Sequence, residues 1–232
     1  MRSFFAPYKT LGIILFFLSV IIIYVFYQLL KVPVRLQVYQ PEDVNKELVD
    51  TTIQYVKKYH TIANFELINQ NGDTITQDDY ANTIYVADFF FTTCQTICPI
   101  MTDHMVEIQE QLKNDPEVRL LSHSVIPEYD TPEILKAYAI KKGIDDRKWN
   151  LVTGSRAMIY TLARKSYLAV KDVPEASQEM VHTENFVLID KKRQIRGFYD
   201  GTKDEDINQL IKDIAILKEE YMPPKTWLEK LF

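Results

Sequence analysis

The chain has 232 residues, of which 47% are hydrophobic and 25% charged, a composition typical of folded proteins that excludes wholesale disorder. A net charge of −5 excludes an overall basic surface, so we predict no nucleic-acid partner. The two cysteines exclude a multi-disulfide scaffold and any metal site built from four cysteines.

The first 35 residues differ from the rest of the chain in charge and hydropathy. They contain four basic side chains and no acid, whereas the remainder carries 23 basic and 32 acidic ones. Residues 11–30 are uncharged, and as an α-helix they would be about 30 Å long, the thickness of a hydrocarbon core. We therefore predict an uncleaved membrane anchor, because the segment lacks the cleavage site of a signal peptide. Basic residues on both flanks favour a cytoplasmic N-terminus only slightly.

The chain is predicted to comprise an anchor (1–35), a stalk or linker (36–60) and a folded domain (61–232). The stalk is predicted because its sequence is polar and has no strong period. In the domain, strand and helix patterns alternate, which predicts one α/β domain with a largely parallel sheet. The predicted elements are a hairpin over 65–76, a buried strand over 84–91, a helix from Pro99, a strand over 118–125, helices over 132–142 and 155–167, a hairpin over 186–199, and a helix over 203–221 with a Thr202–Glu205 capping box.

Both cysteines, Cys94 and Cys98, fall between the predicted buried strand and the following helix, where α/β sheets place ligand sites. The helix N-terminus is expected to favour the thiolate at Cys98. With Cys94 in the preceding loop, the sulfurs could form a disulfide or hold one soft metal ion. The alternative is that both cysteines are buried and inert. Their shared position at one turn argues against this alternative. Met101 and Met105, at helical spacing, are better explained by core packing than as thioether ligands.

Two thiolates leave a Cu(I) ion open to a third ligand, for which the chain offers four histidines. We expect His104 on a solvated helix surface and His60 in the polar stretch before the domain. His123 falls in a strand, where a structural imidazole is expected. His182 precedes a strand in a loop, which makes it a candidate ligand, although its spacing leaves the role open.

Four blocks of sequence resemble the Sco/SenC family. Residues 88–101, DFFFTTCQTICPIM, resemble its C-x-x-x-C-P signature, and residues 124–138 are similar to its S-V-D-P-x-x-D-T-P-x-x-L block. Residues 149–154 look like its W-x-x-L-T-G, and residues 182–190 resemble the segment that carries its metal histidine. The order and spacing of the blocks hold from about residue 60 to 220, so the resemblance covers the predicted domain.

This resemblance implies a thioredoxin-like single domain preceded by one N-terminal transmembrane helix. It implies a copper chaperone that binds Cu(I) or Cu(II) and assists assembly of the dinuclear copper centre of cytochrome c oxidase. Cys94, Cys98 and His182 match the family's copper ligands, and the two cysteines match its redox-active, disulfide-forming pair. The implied partners are the copper-bearing oxidase subunit or another copper carrier, a thiol reductant protein, and the membrane through residues 11–30. The implied location is the inner membrane, with the domain on the periplasmic side.

Three departures from the family pattern remove acids near the implied site. Family members often have Pro and Asp between the cysteines, where this chain has Gln95, Thr96 and Ile97. The Asp of S-V-D-P is Ile126, and the acid often found before the histidine is Val181. Their loss bears on tuning and docking rather than on the three ligands. The alternative function is a membrane-tethered thiol–disulfide oxidoreductase that uses Cys94 and Cys98, which leaves open whether the protein is an enzyme. Zinc fits less well, because structural zinc takes four protein ligands.

Overall fold

The computed structural model describes residues 9–30, 34–169 and 183–223. Leu36–Lys218 form one compact unit, and a second unit contains helix α1, Lys9–Leu30. Most of the large apolar side chains of α1 whose burial is described are exposed. Within the described part of the chain, α1 alone is long and apolar enough to cross a membrane.

A seven-stranded mixed sheet forms the centre of the larger unit, in the order β2-β1-β5-β4-β3-β6-β7. The central strands β3, β4 and β5 run parallel, whereas β1 and β6 pair antiparallel with the strands beside them. The prediction of a largely parallel sheet is therefore correct only for the three central strands. The strands are β1 Glu66–Asn69, β2 Thr74–Thr76, β3 Ile84–Phe90, β4 Val118–Ser124, β5 Trp149–Thr153, β6 Asn185–Ile189 and β7 Ile195–Asp200.

Four helices accompany the sheet in the sequence positions that the helical patterns predict: α2 Cys98–Leu112, α3 Pro132–Lys142, α4 Arg156–Thr161 and α5 Asp204–Tyr221. The α2 stripe is buried at Met101, Met105 and Ile108, which confirms that the methionines pack in the core. Gly143 ends α3 in the left-handed conformation (φ 72°), which glycine adopts without steric cost. After α4 the chain continues as a π-helical turn rather than as the predicted single helix.

Strand β5 was not predicted, because its sequence carries no alternation. All five of its residues are buried, since it lies between β4 and β1. The predicted Thr202–Glu205 capping box is wrong: the Thr202 hydroxyl donates to Asp200 (2.6 Å), and the backbone N–H of Asp200 donates to the Asp206 carboxylate (2.7 Å). The turn after β7 is therefore held by aspartates.

Residues 36–60, predicted as a stalk, make specific contacts within the larger unit. Tyr39 forms a β-bridge with Ile195 of β7, and the Arg196 guanidinium donates to two backbone carbonyls at the start of the segment. Val49 is fully buried. These contacts make the segment part of the folded unit rather than a free stalk.

Candidate metal centre

We define the cysteine loop as residues 91–97, between β3 and α2. Cys94 lies in this loop, and Cys98 directly follows it. All seven residues of β3 are buried, so the strand holds the start of this loop firmly in the core. The Cys94 N–H donates to the Phe91 carbonyl (3.3 Å) and turns the chain. Cys98 is the first residue of α2 and is buried, whereas Cys94 is partly exposed. The cysteines thus occupy the strand-to-helix turn that the sequence predicts.

The two thiols contact each other and differ in acidity. Partial burial raises the pKa of Cys94, but hydrogen bonds from the Cys98 thiol and from the backbone N–H groups of Thr96 and Cys98 lower it to about 7. Burial raises the pKa of the Cys98 thiol to about 12, and its hydrogen bond to Cys94 adds to this rise. The expectation that Cys98 carries the thiolate is therefore wrong: the backbone N–H groups of Thr96 in the loop and of Cys98 at the start of α2 stabilise the Cys94 sulfur instead.

His182 lies outside the described residues, so its place relative to the cysteines stays a prediction. The residues that follow it are described. β6 pairs antiparallel with β3 through Ala87 and Val187, a register that brings the start of β6 to the end of β3 where the cysteine loop begins. Buried Thr183 precedes β6, and its hydroxyl oxygen accepts hydrogen bonds from the Asn185 N–H (3.1 Å) and side-chain amide (2.9 Å).

Two other histidines have structural partners. His123 is fully buried, its Nδ1 lies 3.2 Å from the Asp88 carbonyl oxygen, and its ring stacks on Phe89. Burial lowers the pKa of His123 to about 4, which agrees with the predicted structural imidazole. His60 Nε2 lies 2.8 Å from the Ser166 carbonyl oxygen, and burial lowers its pKa as well.

The prediction that His104 is solvated is wrong. Its Nδ1 lies 2.8 Å from the Gly201 carbonyl oxygen, and its Nε2 lies 3.0 Å from Asp204 Oδ1. The side chain therefore joins α2, the helix that begins at Cys98, to the start of α5. Its position depends on a contact 97 residues distant in sequence, which helical spacing does not reveal.

Asp88 is a buried carboxyl group that sequence reasoning missed. It is 2% exposed in the middle of β3, and burial raises its pKa to about 7. Its charge contributes to the raised pKa of Cys98, which places the carboxyl group within electrostatic range of the thiol pair. The signal in the sequence was the presence of an acidic residue in an otherwise apolar strand.

Asp130 is the second carboxylate that was missed, and it contacts the cysteine loop directly. It is fully buried and accepts hydrogen bonds from the Thr92 N–H (3.2 Å), the Thr92 hydroxyl (2.5 Å) and the Ser124 hydroxyl (2.5 Å). The sequence signal is the Asp of D-T-P in the block over residues 124–138, two residues before the start of α3. That position alone suggests a solvated helix start rather than a buried acceptor.

The described residues contain two of the three predicted ligands. Within 9–30, 34–169 and 183–223, no group of three or more His, Cys, Asp and Glu side chains is placed to hold a metal ion. The thiol pair supplies two soft donors at one end of the sheet, which suit Cu(I) better than hard cations. A complete site requires at least one further ligand.

A thiol pair between the first of three parallel strands and a helix, in this mixed sheet, defines a thioredoxin-like dithiol protein. The comparison with protein families identifies the group within this class. The SCO1/SenC family model matches residues 54–219, and the chain belongs to that family.

One relative compared by sequence and two solved structures illustrate the similarity. The chain is 34% identical to the SCO1 protein homolog of Bacillus subtilis over 152 residues, 65% of this chain and 79% of that protein. It is 34% identical to a SCO1/SenC family lipoprotein from Bacillus anthracis, whose solved structure superposes with a TM-score of 0.62 over 68% of this chain and 95% of the other. The solved structure of BsSco, a member of the Sco family of cytochrome c oxidase assembly proteins with an identified disulfide switch, is 32% identical, with a TM-score of 0.59 over 68% and 93% of the two chains.

A more distant structure was solved with copper bound. ScoI of Bradyrhizobium japonicum is 24% identical, with a TM-score of 0.53 over 66% of this chain and 99% of the other. This likeness shows the shared fold. The copper belongs to that protein's structure.

Proposed function

We propose that this protein is a membrane-anchored copper chaperone that binds copper through Cys94, Cys98 and His182 and assists assembly of the dinuclear copper centre of cytochrome c oxidase. The observation that carries the proposal is the contact between the Cys94 and Cys98 thiols at the strand-to-helix turn of a SCO1/SenC family protein. A relative with bound copper and a relative among the oxidase assembly proteins support it.

The chemistry of the cysteine pair suits Cu(I). Thiolate is the soft ligand that Cu(I) prefers, and a thiol with a pKa of about 7 is half deprotonated at neutral pH. Copper binding would displace the proton of Cys98 as well. Cys98 is buried while Cys94 is partly exposed, so Cys94 is the sulfur that an incoming ligand of a recipient protein can reach first.

The described neighbours of His182 support its role as third ligand. His182 directly precedes Thr183 in the sequence. Thr183 is held at the start of β6, whose register with β3 leads towards the cysteine loop. An imidazole added to two thiolates also permits binding of Cu(II).

Residues 11–30 serve as the anchor in this proposal, with the domain on the periplasmic side of the inner membrane. The length and apolar surface of α1 support the anchor, and the description of a relative as a lipoprotein agrees with attachment to a membrane. A thiol pair that cycles with a disulfide fits an oxidising compartment. The partners would be the copper-bearing oxidase subunit or another copper carrier, and a thiol reductant protein.

The second candidate function is a membrane-tethered thiol–disulfide oxidoreductase. The unequal acidity of the two thiols favours it, because the partly exposed Cys94 thiolate can attack a disulfide while Cys98 keeps its proton. Cys98 can then resolve the mixed disulfide once it gives up that proton, for instance to the thiolate that leaves. The disulfide switch identified in BsSco supports reversible pairing of Cys94 and Cys98.

Copper titration of the reduced full-length protein in detergent tests the proposal and separates the two functions. With a chromophoric Cu(I) chelator as competitor, we expect one copper per chain, and loss of tight binding in Cys94→Ser and Cys98→Ser. His182→Ala should weaken Cu(II) more than Cu(I), because the softer ion keeps both sulfurs. His60→Gln, which changes an imidazole with a structural partner, is the matched control and should bind like the wild type. Unchanged copper affinity in His182→Ala, with disulfide cycling intact, would favour the oxidoreductase.

A further inference from the structure

We propose that Asp130 is a positioning residue that holds the cysteine loop in the geometry in which Cys94 and Cys98 converge. The inference rests on the proposed function for its copper readout. Asp130 lies 36 residues after Cys94 in sequence, in the turn between β4 and α3. Its side chain touches the loop rather than the sulfurs, so it acts through the loop's backbone.

The hydrogen bonds of Asp130 fasten the loop at one point, Thr92, two residues before Cys94. Both the N–H and the hydroxyl of Thr92 donate to the carboxylate, at 3.2 and 2.5 Å. Two bonds to one residue fix the direction in which the chain leaves β3. The position of Cys94 therefore depends on where Asp130 is held.

Asp130 is itself attached to rigid elements. The hydroxyl of Ser124, the last residue of β4, donates to the same carboxylate (2.5 Å), and the Asp130 N–H donates to the Ile126 carbonyl (3.0 Å). Val125 N–H donates to the Phe90 carbonyl, so the ends of β3 and β4 stay paired. The hydrogen bonds of Asp130 thus link the cysteine loop to the parallel strands at the centre of the sheet.

A carboxylate suits this position because all three side-chain contacts come from donors. An asparagine amide has about the same shape but only one acceptor oxygen, so at least one hydroxyl would have to accept from its NH₂ group and its own hydrogen would lose its acceptor. A buried donor without an acceptor is costly, and the least rigid partner, the loop, would move. Asp130→Asn should therefore misplace Cys94 while leaving the fold in place.

Asp190 provides a matched control at the other end of the sheet. It is also buried, and its carboxylate accepts hydrogen bonds from the backbone N–H groups of Lys192 and Gln194 and from the Arg196 guanidinium. It lies in the β6–β7 hairpin turn, at the opposite end of β3 from the cysteine loop. Asp190→Asn removes a buried carboxylate acceptor of three hydrogen bonds without touching the cysteines.

The experiment measures Cu(I) affinity by chelator competition and amide hydrogen exchange of residues 91–98, on full-length protein in detergent. Loss of a partner that orients metal ligands lowers affinity about 10- to 100-fold, so we expect Asp130→Asn to lose about tenfold or more. We also expect faster exchange over 91–98. Asp190→Asn should keep wild-type copper affinity and wild-type exchange in that segment, whatever stability it loses. Equal copper affinities for the two variants would overturn the proposal.

Thr92→Val decides the question if Asp130→Asn fails to fold. It removes only the hydroxyl donor, and we expect about a fivefold loss of Cu(I) affinity, the equivalent of one net hydrogen bond. Wild-type affinity in Thr92→Val would then overturn the proposal. If the wild type binds no copper, the proposed function fails. The exchange of residues 91–98 in the Asp130→Asn or Thr92→Val protein, faster or unchanged, still decides whether Asp130 positions the loop.

Discussion

Cys94 and Cys98 have opposite environments although only three residues separate them. Cys98 begins α2 but points into the core, where desolvation disfavours its thiolate. Cys94 lies in front of the helix, where the backbone N–H groups of Thr96 and Cys98 donate to its sulfur. The positive end of the helix thus stabilises a thiolate that is outside the helix. This arrangement predicts a difference in reactivity.

We expect Cys94 of the reduced, metal-free protein to be alkylated much faster than Cys98 at pH 7. Because iodoacetamide reacts with thiolate, the Cys94 rate should rise about tenfold per pH unit below its pKa of about 7 and level off above it. Peptide mass spectrometry of samples quenched between pH 5.5 and 9 gives both rates. In Cys94→Ser, the remaining thiol should stay slow. A Cys94 profile with its midpoint near 9, or equal rates for both thiols, would show that the assigned environments are wrong.

At the scale of elements, the junction between β7 and α5 joins parts of the domain that are distant in sequence. The Gly201 N–H donates to the Glu184 carbonyl (2.6 Å) at the start of β6, and its own carbonyl oxygen faces His104 of α2. The same residue lies against the Phe186 ring, which leaves no room for a side chain. The junction therefore ties two elements to the start of α5. These are α2, which begins at Cys98, and β6, which follows His182 in the sequence.

Gly201→Ala is expected to destabilise the domain. The new alanine Cβ would lie 2.8 Å from the Phe186 ring and 3.0 Å from the Glu184 carbonyl oxygen. These close contacts can be relieved only if the ring or the backbone moves. Overpacking of this kind costs about 1–3 kcal/mol of unfolding free energy. Urea unfolding followed by near-ultraviolet circular dichroism measures the change. Gly12→Ala, where the new Cβ meets nothing within 4 Å, is the control and should leave domain unfolding unchanged. Equal stability of the two variants would contradict the close approach.

At the scale of the whole molecule, the compact unit that holds the cysteines begins at Leu36. Arg196 reaches the carbonyl oxygens of Leu36 and Gln37, and its guanidinium also pairs with buried Asp190 (2.9 Å). A buried ion pair that also holds the first residues of the unit gives the domain a defined start.

Deleting residues 1–35 should release a folded, soluble domain from the membrane fraction. The reason is that the described hydrogen bonds of the sheet domain begin at Leu36, while the apolar surface of α1 is removed. Fractionation by ultracentrifugation and cooperative urea unfolding are the measurements. Deleting residues 1–60 is the comparison: it removes the Tyr39 bridge and buried Val49, and should cost stability. Aggregation of the 36–232 protein without a cooperative transition would show that this division is wrong.

Elements with strong local patterns could be predicted from the amino-acid sequence. The continuous apolar run of β3, the helical stripe through Met101 and Met105, and the left-handed Gly143 each follow from interactions within a few residues. The placement of both cysteines at the turn between β3 and α2 followed from these patterns. The resemblance to the Sco/SenC family was correct because four blocks occurred in one order.

Features that depend on residues distant in sequence became clear from the fold. Strand β5 is recognisable by the strands that flank it, because its buried residues show no alternation of polar and apolar side chains. The acidity of the two thiols depended on which sulfur is desolvated, and Asp130 acquired its role from donors on the cysteine loop and β4. His182 remains a prediction from sequence. Local pattern specifies secondary structure, whereas burial and hydrogen-bond partners are set by how the chain packs, so the chemistry of the site follows from the fold.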